Sequence, residues 1–289
     1  MCRLFGLTSA PRRTRATFWL LDAPDSLSNQ SRREPDGVGL GFFTADGTPA
    51  VHKAPMAAYE DRCFAQEAKA VESVTFLAHV RFASTGGLTL RNTHPFQQDG
   101  RLFAHNGVIE DLDRLDAELG ADRALVAGDT DSERFFALIN REIRGASGDV
   151  ATGIERAARW VASNLPLYAL NLIVTTPDEL WALRYPNTHP LYTLERPAGG
   201  HHGNRHLDHS GTGGRMRVHS HDLAACPALV VASERMDDSP GWRLMEPGEL
   251  LHAGPQLGLT RRTVLAQEPT HQLSLADLRP EAAASQRPA

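Results

Sequence analysis

The order of patterns along these 289 residues predicts an α+β architecture, with strands and helices in separate blocks. Three observations carry that expectation. Strand-like and helix-like runs come in uneven groups, unlike the regular alternation of a doubly wound parallel sheet. The helical patterns gather around residues 59–71 and 110–164. From Tyr168 onward the pattern is almost entirely short strands bounded by Pro, Gly and acidic residues.

Taken in order, MCRLFG opens a first strand, and DGVGLGFF and AVHKA read as two more. YEDRCFAQEAKAVES (59–73) has helical spacing. VTFLAHVRFA (74–83) is rich in β-branched and aromatic residues, the pattern of a strand buried on both faces. RLFAHNGVI (101–109) is a strand predicted to break at Asn106-Gly107, a pair that favours a tight turn. EDLDRLDAELG, DSERFFALINREI and ATGIERAARWVASNL read as helices, and Thr130 and Glu133 have the spacing of a capping box at the start of the second. YALNLIVTTP, ELWALRYP, PLYTLERP, PALVVAS and GELLHA complete the strands. Residues 198–222 are rich in Gly and His and read as a long loop. The stretch 279–289, from Arg279, has the composition of a disordered tail. No repeat and no sharp composition shift divides the chain, so 2–278 is expected to be a single domain.

Composition excludes several classes. Hydrophobic residues make up 41% and charged residues 22%, which suits a soluble globular protein. A net charge of −5 provides no basic field for nucleic acid. No apolar run approaches the roughly 20 residues a membrane helix needs. The apolar start precedes the basic residues, the reverse of a secretory signal, so a cytoplasmic location is the default expectation. Three scattered cysteines make no disulfide framework. Cys63 and Cys226 read as ordinary packed thiols.

Cys2 differs by position. A thiol attacks only as thiolate, with a reference pKa of about 8.5. A free α-amine has a pKa of about 7.7–8.0, so part of it is unprotonated at neutral pH. Where both belong to one residue, the amine takes the thiol proton directly or through one water, and later protonates the leaving nitrogen. No catalytic histidine is then needed. This requires removal of Met1, which the small side chain of Cys2 favours. Taken alone, Cys2 reads better as a small apolar residue opening a strand.

Five further segments change that balance: PDGVGLGF (35–42), HVRFASTG (79–86), NTHPF (92–96), HNG (105–107) and TDSE (130–133). In this order behind a penultimate Cys, they resemble the class-II glutamine amidotransferases of the N-terminal-nucleophile (Ntn) hydrolase superfamily. VVASERMDDSPGWRLMEPGELL (230–251) is similar, more loosely, to stand-alone bacterial members with no fused synthetase. The resemblance implies a four-layer αββα sandwich and hydrolysis of a γ-glutamyl amide through a Cys2 thioester, with no cofactor and no metal.

The resemblance also implies roles. Asn106 and Gly107 form the oxyanion hole, which suits a side-chain N–H beside a glycine N–H with no side chain in the way. Arg81 holds the α-carboxylate of the substrate in a bidentate fork, assisted by Ser84 and Thr85. Asp131 holds the α-ammonium. From their places flanking this region, His94 is read as lining or gating the pocket and His105 as packing behind. Each has an ordinary alternative: a turn at Asn-Gly, a structural ion pair at Arg81, a helix-start carboxylate at Asp131. Phe82 and Thr85 depart from the Trp and His that many synthetase-fused members carry at the matching positions. Two substrate classes stay open: glutamine, with ammonia passed to a separate synthetase as partner, or a γ-glutamyl peptide or metabolite conjugate, as in the glutathione-degrading and ergothioneine-pathway branches. An inactive binding subunit is disfavoured, because Cys2, Arg81, Asn106, Gly107 and Asp131 are all present. The six histidines between His201 and His221 lack the spacing of a metal site, and a surface loop bordering the active site is the preferred expectation.

Overall fold

A computed structural model describes residues 2–82, 87, 89–199, 207–211, 214–218 and 226–286. In chain order these form β1 (Arg3–Thr8), α1 (Leu27–Gln30), β2 (Gly37–Phe43), β3 (Pro49–Ala54), α2 (Arg62–Ala70), β4 (Thr75–Arg81), β5 (Phe96–Gln98) and β6 (Arg101–Ile109). There follow α3 (Leu112–Leu119), α4 (Asp131–Gly145), α5 (Val150–Asn164), β7 (Leu167–Thr175), β8 (Leu180–Leu183) and β9 (Tyr192–Arg196). The remainder are β10 (Leu207–Gly211), β11 (Gly214–Val218), β12 (Ala228–Ala232), β13 (Trp242–Leu244), β14 (Glu249–Ala253), β15 (Leu259–Thr263) and α6 (Pro280–Gln286).

Two antiparallel sheets face each other. One runs β13-β9-β12-β1-β4-β2-β3 and the other β15-β14-β8-β7-β6-β5. Alternation along each strand sends one set of side chains between the sheets and the other outward. Leu4 and Leu77 from the first sheet meet Leu102, Ala104, Ile173 and Leu251 from the second. Phe5, Leu7, Phe76 and Val80 turn the other way, onto Phe64 and Ala68 of α2 and onto Trp19 in a short π-helical stretch. Phe103, Leu170 and Leu172 face Phe135, Phe136, Ile154 and Val161 of α4 and α5. The layers are therefore helix, sheet, sheet, helix, as the resemblance implied.

Local chemistry sets the helix starts. Asp61 caps α2, accepting from the N–H groups of Cys63 and Phe64 at 2.9 and 3.2 Å. Thr130 caps α4 through the N–H of Glu133 at 3.2 Å. The reciprocal half of the predicted capping box is absent, because the Glu133 carboxylate turns to the N–H of Gly128 at 2.6 Å.

Three expectations are corrected. β6 does not break at Asn106-Gly107: β7 pairs along it through Gly107↔Leu170, with an irregularity only between Val108 and Ile109. Long-range pairing here overrides the local turn preference. The segment beyond Arg279, expected to be disordered, forms α6 over 280–286, with Ala282, Ala283, Ser285 and Gln286 buried. Its small side chains pack on Val108, Tyr168 and Ala169, a contact that composition does not reveal. Within the Gly/His-rich stretch, β10 and β11 pair antiparallel, and the rest of that loop lies outside the described residues. No helix among the described residues is long and apolar enough to cross a membrane.

Candidate active site

Cys2 stands at the head of β1, between β12 and β4. It is 8% exposed. Its thiol lies against the backbone of Phe82, donating to the carbonyl at 3.4 Å and accepting from the N–H at 3.3 Å. Burial pushes the Cys2 thiol up from its ordinary pKa; the Phe82 backbone, Arg81 and other charges modulate that effect. A buried thiol of this kind needs a base close at hand before it can attack.

The second sheet brings Asn106 to the same place. Leu102, Ala104 and Asn106 share the inter-sheet face of β6, so the side chain of Asn106 points at the end of β1. Its Nδ2 donates to the backbone carbonyl of Cys2 at 3.0 Å, and its Oδ1 is buried with no hydrogen-bond partner. Next to it, Gly107 is obligatory on packing grounds: a Cβ there would stand 1.9 Å from the Ala169 carbonyl oxygen. The Ala169 carbonyl and the His105 ring occupy the space a side chain would take there.

Arg81 ends β4 on the same face as Leu77 and is 4% exposed. Its Nη1 donates to the carbonyl of Gly87 at 3.1 Å. Burial lowers the pKa of the guanidinium, while the charges of Cys2, Asp36 and Asp131 raise it. Those couplings put the thiol, the cation and the carboxylate within one electrostatic neighbourhood. Asp131 is the first residue of α4 and is 4% exposed. Its Oδ2 accepts from the N–H of Ile109 at 2.9 Å and its Oδ1 from Ser132 Oγ at 3.3 Å. It thus ties the helix start to the end of the strand that carries Asn106 and Gly107.

His94 precedes a cis peptide to Pro95 and lies inside the molecule, with both ring nitrogens buried and without hydrogen-bond partners. Its ring is 4.2 Å from that of His79 and 4.6 Å from Phe96. Burial, with the charges around it, holds its pKa well below the ordinary value, so it is neutral. Burial likewise brings His79 to about 3. His105 turns to the other face, its ring nitrogens contacting Ser132 Oγ at 2.9 Å and the Ala169 carbonyl at 3.1 Å. Ser84 and Thr85 lie outside the described residues.

The structure therefore gathers Cys2, Arg81 and Asn106 around one point, with Gly107 and Asp131 adjoining. His94 lies deeper, against His79. Sequence reasoning missed two contributors. One is the backbone of Phe82, which grips the thiol and leaves no trace in side-chain identity. The other is an ionic group next to Cys2 in sequence: buried Arg3 meets partly exposed Glu234 at 2.7 Å and buried Glu34 at 3.6 Å. An arginine in the apolar start RLFG was the available signal, because a buried charge demands partners. Among the described residues no group of three or more His, Cys, Asp or Glu is arranged to hold a metal ion.

The chain is similar to proteins of known kind. It is 30% identical over 161 residues to glutamine–fructose-6-phosphate aminotransferase (isomerizing) of Idiomarina loihiensis, covering 55% of this chain and 25% of that protein. It is 31% identical over 159 residues to the probable glutamine amidotransferase DUG3 of Saccharomyces cerevisiae, covering 48% of this chain and 44% of that one. The matches thus span less than half the length of either relative. A solved glutamine aminotransferase class-II domain protein from Silicibacter pomeroyi superposes with a TM-score of 0.58 at 21% identity, covering 91% of this chain and 99% of the other. The family model described as glutamine amidotransferases class-II matches residues 1–276. With that match covering nearly the whole of its αββα sandwich, the chain belongs to the class-II glutamine amidotransferases.

Proposed function

We propose that this protein hydrolyses the γ-amide of glutamine with Cys2 as nucleophile, releasing glutamate and ammonia, the ammonia passing to a separate synthetase. The observation that carries this reading is the 3.0 Å hydrogen bond from Asn106 Nδ2 to the carbonyl of Cys2, which joins the thiol-bearing residue to the expected oxyanion donor. In the proposed reaction Met1 is removed, and the freed α-amine of Cys2 takes the thiol proton. The thiolate attacks the γ-carbonyl carbon, and the carbonyl oxygen becomes an oxyanion facing Asn106 Nδ2 and the N–H of Gly107. The amine returns its proton to the departing nitrogen, leaving a thioester. Water, deprotonated by the same amine, attacks the thioester through a second oxyanion and frees the γ-carboxylate. Arg81 and Asp131 engage the α-carboxylate and the α-ammonium. That recognition leaves the γ-substituent unread, so larger γ-glutamyl amides are the competing substrate class.

Intact-mass measurement is expected to show loss of Met1. Cys2→Ala is expected to be inactive, as is a protein with residues fused ahead of Cys2. Asn106→Ala is expected to lower kcat roughly a hundred- to a thousandfold with less effect on KM. Full turnover by Cys2→Ala would sink the mechanism. Mass spectrometry of glutamine, glutathione and γ-glutamyl amines as substrates decides between the two substrate classes.

A further inference from the structure

The C-terminal helix reaches the neighbourhood of Asn106 through an unbroken file of buried polar groups. Gln286, at the end of α6, is 1% exposed, and its Oε1 accepts from His189 Nε2 at 2.6 Å. Its amide nitrogen donates to Ser285 Oγ at 2.9 Å, so both ends of the side chain are engaged. His189 is 1% exposed, and its backbone carbonyl receives Arg184 Nε at 2.9 Å and Asn171 Nδ2 at 3.3 Å. Asn171, wholly buried, also donates to the carbonyl of Pro190 at 3.2 Å and accepts from the N–H of Tyr185 at 3.0 Å. In the pairing of β6 with β7, Asn171 stands directly opposite Asn106, on the same face.

Directly opposed residues of an antiparallel pair have Cβ atoms about 4.5–5.5 Å apart, within reach of each other's amides. Asn106 has an unused buried acceptor, Oδ1. Asn171 would be its natural donor, yet its Nδ2 is spent on the carbonyls of His189 and Pro190. The loop carrying His189 therefore keeps Asn171 from turning onto Asn106, and the Asn106 amide stays directed at Cys2. That loop is pinned from outside by Gln286. Ala282 and Ala283 seat α6 on Val108 and Ala169, the next pair on the same face of the two strands.

Resting on the proposed γ-glutamyl hydrolysis, we infer that α6 is a C-terminal latch, and that Gln286, His189 and Asn171 are positioning residues that keep Asn106 aimed at the reacting centre. Loosening the latch frees Asn171 to bond Asn106 Oδ1 and rotate the donor away.

The test compares Gln286→Leu, which removes the acceptor for His189, with Gln286→Glu, which keeps one. Gln286→Leu is expected to lower kcat on the order of tenfold or more, part of what complete loss of an oxyanion donor costs, with KM within about twofold. Gln286→Glu is expected to stay within about threefold of wild type. Hydrogen–deuterium exchange over 103–108 is expected to speed up in the Leu variant alone, and this reads the coupling to β6 without relying on turnover. Wild-type kcat in Gln286→Leu, or equal losses in both variants with a matching fall in Tm, overturns the latch. Absence of turnover of any γ-glutamyl substrate by the wild-type protein overturns the proposed function instead, and unchanged exchange in Gln286→Leu then overturns the latch as well.

Discussion

Arg81 and Asp131 each have work in the fold as well as a proposed place at the substrate. The Arg81 guanidinium already donates to the Gly87 carbonyl, and the Asp131 carboxylate already receives the Ile109 N–H. Conservative substitutions separate the two roles. Arg81→Lys keeps the charge but replaces a planar fork with a point donor, so a bidentate contact to an α-carboxylate is lost. Asp131→Asn keeps an acceptor for Ile109 N–H and removes the charge opposite the α-ammonium. Each change is expected to cost roughly 2–5 kcal/mol in kcat/KM, the usual scale for a desolvated charged contact. Glutamine analogues with the α-carboxylate amidated or the α-amine acetylated are expected to be poor substrates for the unaltered protein. Turnover of the blocked analogues at the rate of glutamine would make both residues purely structural.

The glycines of β2 show how an element serves the site. PDGVGLGF was legible as a strand, and its glycines at 37, 39 and 41 fall on one face by alternation. What that face meets was not legible. A Cβ on Gly39 would stand 1.9 Å from the His94 carbonyl oxygen, and one on Gly41 would stand 2.8 Å from Leu102 Cδ1 and 2.9 Å from Pro95 Cγ. The stripe is a bed for the segment that presents His94. Gly39→Ala is expected to destabilise the protein more than Gly41→Ala, because a backbone carbonyl cannot swing aside whereas the end of a leucine can. Overpacking of this sort costs roughly 1–3 kcal/mol, and Gly39→Ala belongs at or above the top of that range in urea unfolding. The reverse order would mean that the His94-Pro95 segment yields readily.

At the scale of the whole molecule, buried neutral histidines couple stability to pH. Burial lowers His79 to about 3 and His189 to about 4, and also lowers His94 and His105. Unfolding returns each of them to an ordinary pKa of about 6.5. Below that pH the unfolded chain binds protons that the folded chain refuses, so stability falls as pH drops. The contribution is fully present above about 6.5 and is lost progressively toward the folded values, at up to roughly 1.4 kcal/mol per pH unit for each histidine. Urea midpoints measured between pH 7.5 and 5 are expected to decline below about 6.5. A flat or rising profile in that window would mean that these rings carry charge in the folded protein.

Most of the longer strands and helices, the cap at Thr130 and the motifs that place this chain in its family were determined by the sequence itself, since each depends on patterns within a few residues. Tertiary structure decided the rest. The bond between Asn106 and Cys2 spans 104 residues, and it exists because β1 and β6 bring opposed faces together at one end of two packed sheets. Asn106-Gly107 carries the local signal of a turn, yet β7 runs alongside and holds it extended. PEAAASQ carries no periodicity worth trusting, yet a surface shaped by Val108 and Ala169 accepts small side chains and orders it as a helix. Backbone preference acts over a few residues and amounts to fractions of a kcal/mol at each. Pairing register and burial act across the whole chain, and where the two conflict the larger sum prevails.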